Sequence, residues 1–261
     1  MITSAQNPRI KTARQLINER KAREESNSLA VEGVRLAEEA LLNGWAVEFA
    51  LWSQPLGERG QKIIGNLIDN QVPVDEIPAN LMARISDTET PQGLLLVVRR
   101  KPMPLPKSID FLLALDGVRD PGNLGTILRS ACAFGSQGMV LLPGCTDAFS
   151  AKVLRAGMGA QFRLSVMEMS VEEFRKFCKE KSSPALQIHL ADMQADKPCW
   201  AVNLRQSLAL VIGGEAAGAT QALYSIADDK LLIPMPAGSE SLNAAVAASI
   251  LAYEIMRQRQ T

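Results

Sequence analysis

The stretch LLIPMPAGSESLNAAVAASILAYE, from Leu231 to Glu254, joins a short apolar strand to a long helix. Pro236 and Gly238 exclude a regular element between the two, and Ser is a favoured N-cap residue, so the helix is predicted to begin at Ser241–Asn243. A helix start presents free N–H groups and a partial positive charge, which suits a carboxylate, a phosphate or a developing oxyanion. An ordinary capped helix would have the same sequence. The apolar positions at helical spacing are Leu242, Val246, Ile250 and Tyr253.

The composition restricts the chemistry. Among 261 residues, 28 Lys and Arg balance 28 Asp and Glu, so a polyanionic partner must be met by a local basic patch. The four cysteines form no C-x-x-C pair, which predicts a reduced, cytosolic protein without a structural zinc site. The single histidine, His189, lies in an alternating strand-like run and is predicted to be structural, which leaves no His-based metal cluster.

No run approaches the roughly 20 apolar residues of a membrane span, and the N-terminus lacks the apolar core of a signal peptide. We therefore expect a cytoplasmic protein with no membrane association and no metal. Strands and helices alternate over residues 1–100 and predict a compact α/β unit. Three prolines in residues 101–107 predict a stiff connector, which leaves 108–261 as a second domain.

The first unit opens with a basic helix, predicted over residues 9–23. Its apolar residues mark an inner face, and the basic ones, with Arg9, Lys11 and Arg14 at the start, could grip phosphates. A solvated face balanced by the acids that follow is an equally good interpretation of this segment alone. The other elements predicted here are strands in 28–33, 47–53, 72–77 and 94–100 and helices over 34–42 and about 60–69.

The second unit alternates strands with helices and therefore predicts a largely parallel sheet, covered on both faces, with ligands at the carboxyl ends of the strands. After the strand FLLALDG, Asn123 or a neighbour is predicted to cap a helix on which Arg129 lies outside the core positions. Neither the dinucleotide-binding fingerprint nor the phosphate loop G-x-x-x-x-G-K-[ST] is present. A dehydrogenase and a P-loop ATPase are therefore unlikely functions.

Three separated blocks resemble the motifs of the SpoU (TrmH) group of RNA ribose 2′-O-methyltransferases, in the same order. They are Asn123-Leu124-Gly125 with Arg129, then IGGEAAG at 212–218, then IPMP with Ser241-Leu242-Asn243. The segment DAFSAKVLRAGMGAQFRL resembles the middle of that group, and the match spans about 111–259. Residues 7–44 are similar to the RNA substrate-binding domain that many members carry, an α/β fold related to ribosomal proteins.

The resemblance implies a SPOUT catalytic domain with a deep trefoil knot, a homodimer, and S-adenosylmethionine as methyl donor. It implies cofactor contacts from Gly213, Ile233 and Leu242, with Gly218 and Met235 beside them. The implied catalytic set is Arg129, Asn123, Glu215, Ser241 and Asn243. Arg155, in the middle segment, is expected to contact RNA together with Arg9, Lys11 and Arg14. One departure is Gly214, where the family commonly has Asn or Ser.

The expected substrate is RNA. The extra N-terminal domain favours 23S-type ribosomal RNA over transfer RNA, which stays an alternative. A second alternative, from another class, is a non-catalytic RNA-binding protein with the same fold. It predicts salt-sensitive RNA affinity without cofactor binding. Methyl transfer to a protein or a small molecule would leave the basic helix unexplained.

Overall fold

The computed structural model describes residues 1–182, 184–214, 218–235 and 241–260. The chain divides into two compact units. The first combines Met1–Pro102 with Phe149–Phe162, and the second combines Met103–Ala148 with Arg163–Thr261. The sequence assigned residues 149–162 to the second domain, whereas their contacts group them with the first unit. The functional domain boundaries at 100 and 108 stay a prediction.

The first unit contains a mixed sheet in the order β1-β4-β2-β3. Its central strand β4 runs antiparallel to β1 and β2, and β3 runs parallel to β2. Alternate residues of β4 belong to two hydrophobic cores, one on each face of the sheet. Leu94 and Leu96 pack on one face, and Leu95 and Val97 pack on the other. The strands are β1 (Ser28–Glu32), β2 (Val47–Trp52), β3 (Val74–Glu76) and β4 (Leu94–Arg99).

The prediction of one basic helix over residues 9–23 is wrong, because two helices occupy this segment, α1 (Pro8–Asn18) and α2 (Arg20–Ser26). Glu19 between them is extended, with φ −119° and ψ 115°. The Arg23 guanidinium folds back and donates to the Leu16 and Ile17 carbonyls at 2.6 and 3.2 Å. These hydrogen bonds satisfy carbonyls that the end of α1 leaves unpaired.

The other helices of the first unit pack on the two faces of the sheet. The prediction of residues 34–42 as a helix is confirmed, and residues 60–69 are helical within a slightly longer element. The helix over 79–85 was not predicted. These elements are α3 (Val34–Leu42), α4 (Glu58–Asp69), α5 (Ala79–Ile85) and the helix α7 of the chain (Ala151–Ala156).

The second unit contains a parallel sheet in the order β10-β8-β9-β5-β6-β7, as the sequence predicted. Its central strands β9 and β5 are almost completely apolar, because parallel sheets are covered on both faces. The strands are β5 (Phe111–Asp116), β6 (Gly138–Leu141), β7 (Ser165–Glu168), β8 (Gln187–Ala191), β9 (Leu208–Gly213) and β10 (Asp229–Leu231).

Four helices of the second unit connect or follow these strands: α6 (Pro121–Ala133), α8 (Val171–Lys176), α9 (Gln221–Tyr224) and α10 (Ala244–Gln260). The helix predicted over 171–180 continues from α8 as a π-helical turn, Phe177–Lys181. Among the described residues, no helix is long and apolar enough to cross a membrane.

The buried face of α10 is formed mainly by alanines. Ala244, Ala245, Ala248 and Ala252 are buried, and their small side chains let α10 approach α6 and β9 closely. The larger apolar residues identified from spacing lie elsewhere: Val246 is 47%, Ile250 38% and Tyr253 49% exposed. The apolar stripe of the sequence is therefore a surface feature of the single chain.

Candidate active site

A cavity of about 520 Å³ lies in the second unit at the carboxyl ends of β8, β9 and β10. Open parallel sheets bind ligands at this edge, and the volume is within the range of small-molecule sites. The structure brings together the five residues predicted to hold the cofactor and one residue predicted to be catalytic. The lining includes Gly213, Gly218, Ile233, Met235, Leu242 and Ser241.

Gly213 is the last residue of β9, and the backbone that follows the strand packs against it. Gly214 and Gly218 form an antiparallel bridge, so the returning backbone presses on Gly213. A methyl group at Gly213 would meet the Ala219 nitrogen and lie 2.7 Å from the Gly218 carbonyl oxygen, closer than real Cβ atoms approach. Only glycine fits here, and the close turn forms one wall of the cavity.

Asp116 forms a hydrogen bond with the chain just after Gly218. It ends β5 opposite Gly213, is 3% exposed, and its carboxylate accepts a hydrogen bond from the Thr220 amide at 2.7 Å. A Cβ atom at Gly214 would lie 2.6 Å from the Gly117 carbonyl oxygen. This approach explains the glycine where the family commonly has Asn or Ser.

Two predicted catalytic asparagines meet beside the cavity wall. Asn123 lies in the first turn of α6 and Asn243 directly precedes α10. The Asn243 Nδ2 amide donates to the Asn123 Oδ1 atom at 2.9 Å. The first and third sequence motifs are therefore joined by a direct hydrogen bond.

The helix caps differ from those predicted. Asp120, rather than Asn123, is the N-cap of α6. Its side chain accepts a hydrogen bond from the backbone amide of Asn123 at 2.7 Å. The last helix begins at Ala244, directly after the predicted start at Ser241–Asn243, and Asn243 rather than the favoured Ser241 caps it. The Asn243 Oδ1 atom accepts from the Ala245 and Val246 amides at 2.9 and 3.2 Å, because the helix begins one residue after it.

Arg129 lies on the exposed side of α6, as predicted, and has no hydrogen bond or ion pair with any described residue. The adjacent Ser130 hydroxyl is hydrogen-bonded to Ser249 of α10 at 2.7 Å. Ala247 of α10 lines the cavity, and Ser249 follows it by about 200° of helical rotation. Within one chain, α10 therefore separates Arg129 from the cavity. Glu215, the remaining predicted catalytic residue, lies outside the described residues.

Of the three residues of α1 that were predicted to contact RNA, one forms an ion pair with a described residue of the protein and two do not. The Arg9 guanidinium pairs with the Asp75 carboxylate and lies 5.6 Å from the centre of the Phe49 ring. Lys11 and Arg14 are exposed, and no described residue pairs with either. The two unpaired cations are the better phosphate ligands, although all three roles stay predictions.

Arg155 lies in a polar network inside the first unit. Its guanidinium is 2.6 Å from the Asp87 carboxylate and 3.8 Å from that of Glu32. Glu32 is buried and also accepts hydrogen bonds from the Thr88 hydroxyl at 2.6 Å and the Asp87 amide at 3.1 Å. The positive charge of Arg155 compensates this buried acid, so its predicted contact with RNA gains no support.

His189 is 2% exposed on β8, in agreement with the structural role predicted for it. Burial lowers the pKa of its imidazole, which favours the neutral form. Within the described ranges, no group of three His, Cys, Asp or Glu side chains is arranged to hold a metal ion.

Sequence reasoning missed three polar residues of the cavity, Asp192, Gln194 and Tyr224. Asp192 directly follows β8, at the same edge of the sheet as Gly213. An acid at the carboxyl end of an apolar strand was the available signal.

The comparisons with known proteins agree with this arrangement. The family model described as SpoU rRNA Methylase family matches residues 110–253. The chain belongs to this family. A second model, the MRM3-like substrate binding domain, matches residues 7–96 of this SpoU family member.

Relatives of this SpoU family member match it over nearly their whole length. The Bacillus subtilis protein named 23S rRNA (guanosine(2553)-2′-O)-methyltransferase RlmP is 31% identical, over 97% of this chain and 98% of its own. A structure titled RNA 2′-O ribose methyltransferase has a TM-score of 0.83 at 31% identity, covering 100% and 99%. The AdoMet-bound rRNA methyltransferase from Sinorhizobium meliloti has a TM-score of 0.84 at 28% identity, covering 98% and 97%.

The cofactor of the SpoU methylases is S-adenosylmethionine, and the cavity fits such a molecule. Without a side chain at Gly213, the backbone of Gly218 and Ala219 packs directly against the end of β9, and apolar side chains such as those of Ile212, Ile233 and Leu242 offer contacts for an adenine ring. The backbone groups of Gly213, Ile233 and Leu242 are the candidates to hold the adenosine part.

Proposed function

We propose that this protein transfers the methyl group of S-adenosylmethionine to a ribose 2′-hydroxyl of ribosomal RNA, of the 23S type. The observation that carries the proposal is the meeting of the three motif segments around one cavity. Gly213 and Leu242 line it, and Asn243, next to Leu242, is bonded to Asn123. The relatives named for 2′-O-methylation of 23S rRNA support the substrate class.

The reaction requires the methyl donor and the ribose hydroxyl to be held in line, and positioning supplies much of the rate. When bound, the cofactor supplies an electrophilic methyl group. The ribose oxygen gains this methyl group and loses its proton, so the protein must stabilise negative charge on that oxygen. The Asn243–Asn123 pair fixes the start of α10, and Leu242 and Ser241, which precede the helix, line the cavity.

Arg129 has the chemistry to stabilise the developing alkoxide and a neighbouring phosphate. A guanidinium stays protonated in proteins and presents several N–H donors, so we assign it electrostatic stabilisation rather than proton abstraction. Its side chain is exposed and has no partner within the described part of the chain, and it is therefore available to an RNA substrate.

We further propose that the protein is a homodimer whose active site combines two chains. Within one chain, Arg129 and the cavity lie on opposite sides of α10. The exposed side chains of Val246, Ile250 and Tyr253 form an apolar stripe on α10, and such a surface suits a second copy of the chain. A two-fold partner would bring its own Arg129 to the cavity.

Subunit complementation tests this arrangement. Arg129→Ala and Leu242→Glu chains are each expected to be inactive as homodimers. If the arginine and the cavity come from different chains, mixed dimers contain one intact site, and about one quarter of wild-type activity returns in a two-fold dimer. If both come from the same chain, no activity returns, and co-purification of an untagged variant with a tagged one confirms that the chains do exchange.

We also propose the finer fold features that the resemblance implies, a deep trefoil knot in the second unit and a ribosomal-protein-like RNA-binding fold in the first. The knot is supported by residues on both sides of β10 in sequence, Gly213, Gly214 and Gly218 before it and Ser241, Leu242 and Ala244 after it, that line one cavity. The RNA-binding role is supported by the substrate-binding family model over residues 7–96. The proposed site of action is the cytoplasm.

The decisive experiment is calorimetric titration of the purified protein with S-adenosylmethionine, followed by mapping of 2′-O-methyl groups in RNA from a deletion strain. We expect binding that Leu242→Glu abolishes, and one 23S rRNA ribose that loses its methyl group. A lost methyl group in transfer RNA would favour the alternative substrate. A folded protein that binds RNA but not the cofactor would be a non-catalytic RNA-binding protein.

A further inference from the structure

Among the described residues that line the cavity, one side chain is charged. This residue is Asp192, directly after β8, and the rest of the described lining is apolar, glycine or neutral polar. A carboxylate at the wall of a cavity attracts a cationic group of a ligand and repels an anionic one. Its presence therefore indicates the charge of the molecule that binds there.

The carboxylate of Asp192 is held in place by neighbouring groups. The Gln194 backbone amide donates to its Oδ1 atom at 2.9 Å. Tyr224 lines the same cavity. Burial raises the pKa of the Tyr224 hydroxyl, and the Asp192 charge raises it further, so this hydroxyl stays protonated beside the carboxylate. A carboxylate has about four acceptor sites, so acceptor capacity remains for a ligand.

No described cation forms an ion pair with Asp192. The Lys230 ammonium lies 5.9 Å from the centre of the Tyr224 ring, and the described ion pairs of this region join other residues. Interaction with a ligand cation is stronger beside an apolar wall than in water, because the local dielectric constant is lower.

We propose that Asp192, oriented by Tyr224, is the anionic group that recognises a cationic centre of the methyl donor. The inference rests on the proposed function, because S-adenosylmethionine is the ligand concerned. This ligand has two cationic centres, a sulfonium and an ammonium. Its product, S-adenosylhomocysteine, retains only the ammonium. The analogue 5′-methylthioadenosine has neither, but keeps the adenine and the ribose hydroxyls.

The test compares the dissociation constants of these three ligands for the wild type, Asp192→Asn and the matched control Asp196→Asn, measured by calorimetry. Asp196 is an exposed acid on the same loop that does not line the cavity. We expect Asp192→Asn to weaken S-adenosylmethionine about tenfold, which is about 1.4 kcal/mol. Its affinity for 5′-methylthioadenosine should stay within about twofold of the wild type, and Asp196→Asn should change neither ligand.

The product identifies which cation is recognised. If Asp192→Asn loses as much affinity for S-adenosylhomocysteine as for S-adenosylmethionine, Asp192 contacts the ammonium. If its affinity for S-adenosylhomocysteine is unchanged, Asp192 contacts the sulfonium. Both results support recognition of a cation. Tyr224→Phe, which keeps the ring and removes the donor, is expected to give a smaller loss in the same pattern.

Two results overturn the inference. One is an unchanged affinity of Asp192→Asn for S-adenosylmethionine. The other is an equal loss for 5′-methylthioadenosine, which would assign Asp192 to the ribose hydroxyls or to the shape of the cavity. Failure of the proposed function is distinguishable, since the folded wild type would then bind none of the three ligands.

Discussion

The Nδ2 amide of Asn243 donates a hydrogen bond to Oδ1 of Asn123 at 2.9 Å, although 120 residues separate them in sequence. The Oδ1 atom of the same Asn243 side chain caps α10. One residue thus combines helix capping with the alignment of two motifs, and these two roles can be separated by substitution.

Asn243→Ala is expected to remove both roles. Loss of an N-cap destabilises a protein by about 1 kcal/mol. Asn243→Ser keeps a capping oxygen but is too short to reach Asn123, so its free energy of unfolding should fall by less than about 0.5 kcal/mol. Methylation should fall at least about tenfold in both variants. Urea unfolding measures the stability of both variants. Full activity in the Ser variant would show that the hydrogen bond to Asn123 is not needed for methylation.

Arg129→Ala is expected to lower the rate of methylation at least about a hundredfold, because a charge-stabilising donor is lost. Cofactor affinity should stay within about twofold, since α10 separates Arg129 from the cavity in its own chain. Single-turnover methylation and calorimetry measure the two effects. Arg175→Ala, an exposed arginine of α8, is the control. Wild-type turnover in the Arg129 variant would refute the assignment.

Reversing the charges of Lys11 and Arg14 should weaken RNA binding more than Arg9→Glu does. Arg9 is already paired with Asp75, whereas the other two have no described partner. Each lost phosphate contact should reduce the slope of log affinity against log salt by about 1. Filter binding at several salt concentrations measures this slope.

The control for this experiment is reversal of Arg59 and Lys62 on α4, which pair with Glu38 and Glu58. If the α1 and α4 variants lose equal affinity, or neither loses any, α1 is a solvated face and not an RNA-binding surface.

Gly213→Ala should weaken cofactor binding at least about tenfold, because the methyl group would collide with the turn at Gly218 and Ala219. Gly65→Ala is the matched control. No atom lies within 4 Å of the position of its added Cβ, and replacing a helical glycine by alanine should stabilise the fold by about 0.5–1 kcal/mol. Unchanged cofactor affinity in Gly213→Ala would show that the turn adapts.

Stability should decrease as the pH falls below about 6.5, the pKa of an unperturbed histidine. Burial lowers the pKa of His189 in the folded protein, against the opposing effect of Asp228 and Asp229. Between the two pKa values the unfolded chain binds a proton that the folded chain does not. The free energy of unfolding therefore decreases by up to about 1.4 kcal/mol for each pH unit by which the pH is lowered.

Urea unfolding at pH 7.5, 6.5 and 5.5 measures this dependence. His189 is the one histidine of the chain, so His189→Asn should flatten the curve in this window. A slope of the same size in the variant would assign the effect to other groups.

The sequence alone determined the order of the strands and of most helices, because apolar periodicity and glycine or proline breaks are local signals. It also determined the family, since three ordered motifs identify it. It missed α5 and the division between α1 and α2. The sequence did not identify the capping residues exactly. Ser241 and Asn243 are both good capping residues, and only the position at which α10 begins selects Asn243.

The tertiary structure decided what meets at the cavity. Asp192 follows β8 and Gly213 ends β9, and the parallel sheet brings both to the cavity at one edge. It also decided the exposure of Val246 and the separation of Arg129 from the cavity by α10. Local periodicity reports how residues repeat along one element, whereas burial and proximity depend on which other elements cover that face, and this information is not local in the chain.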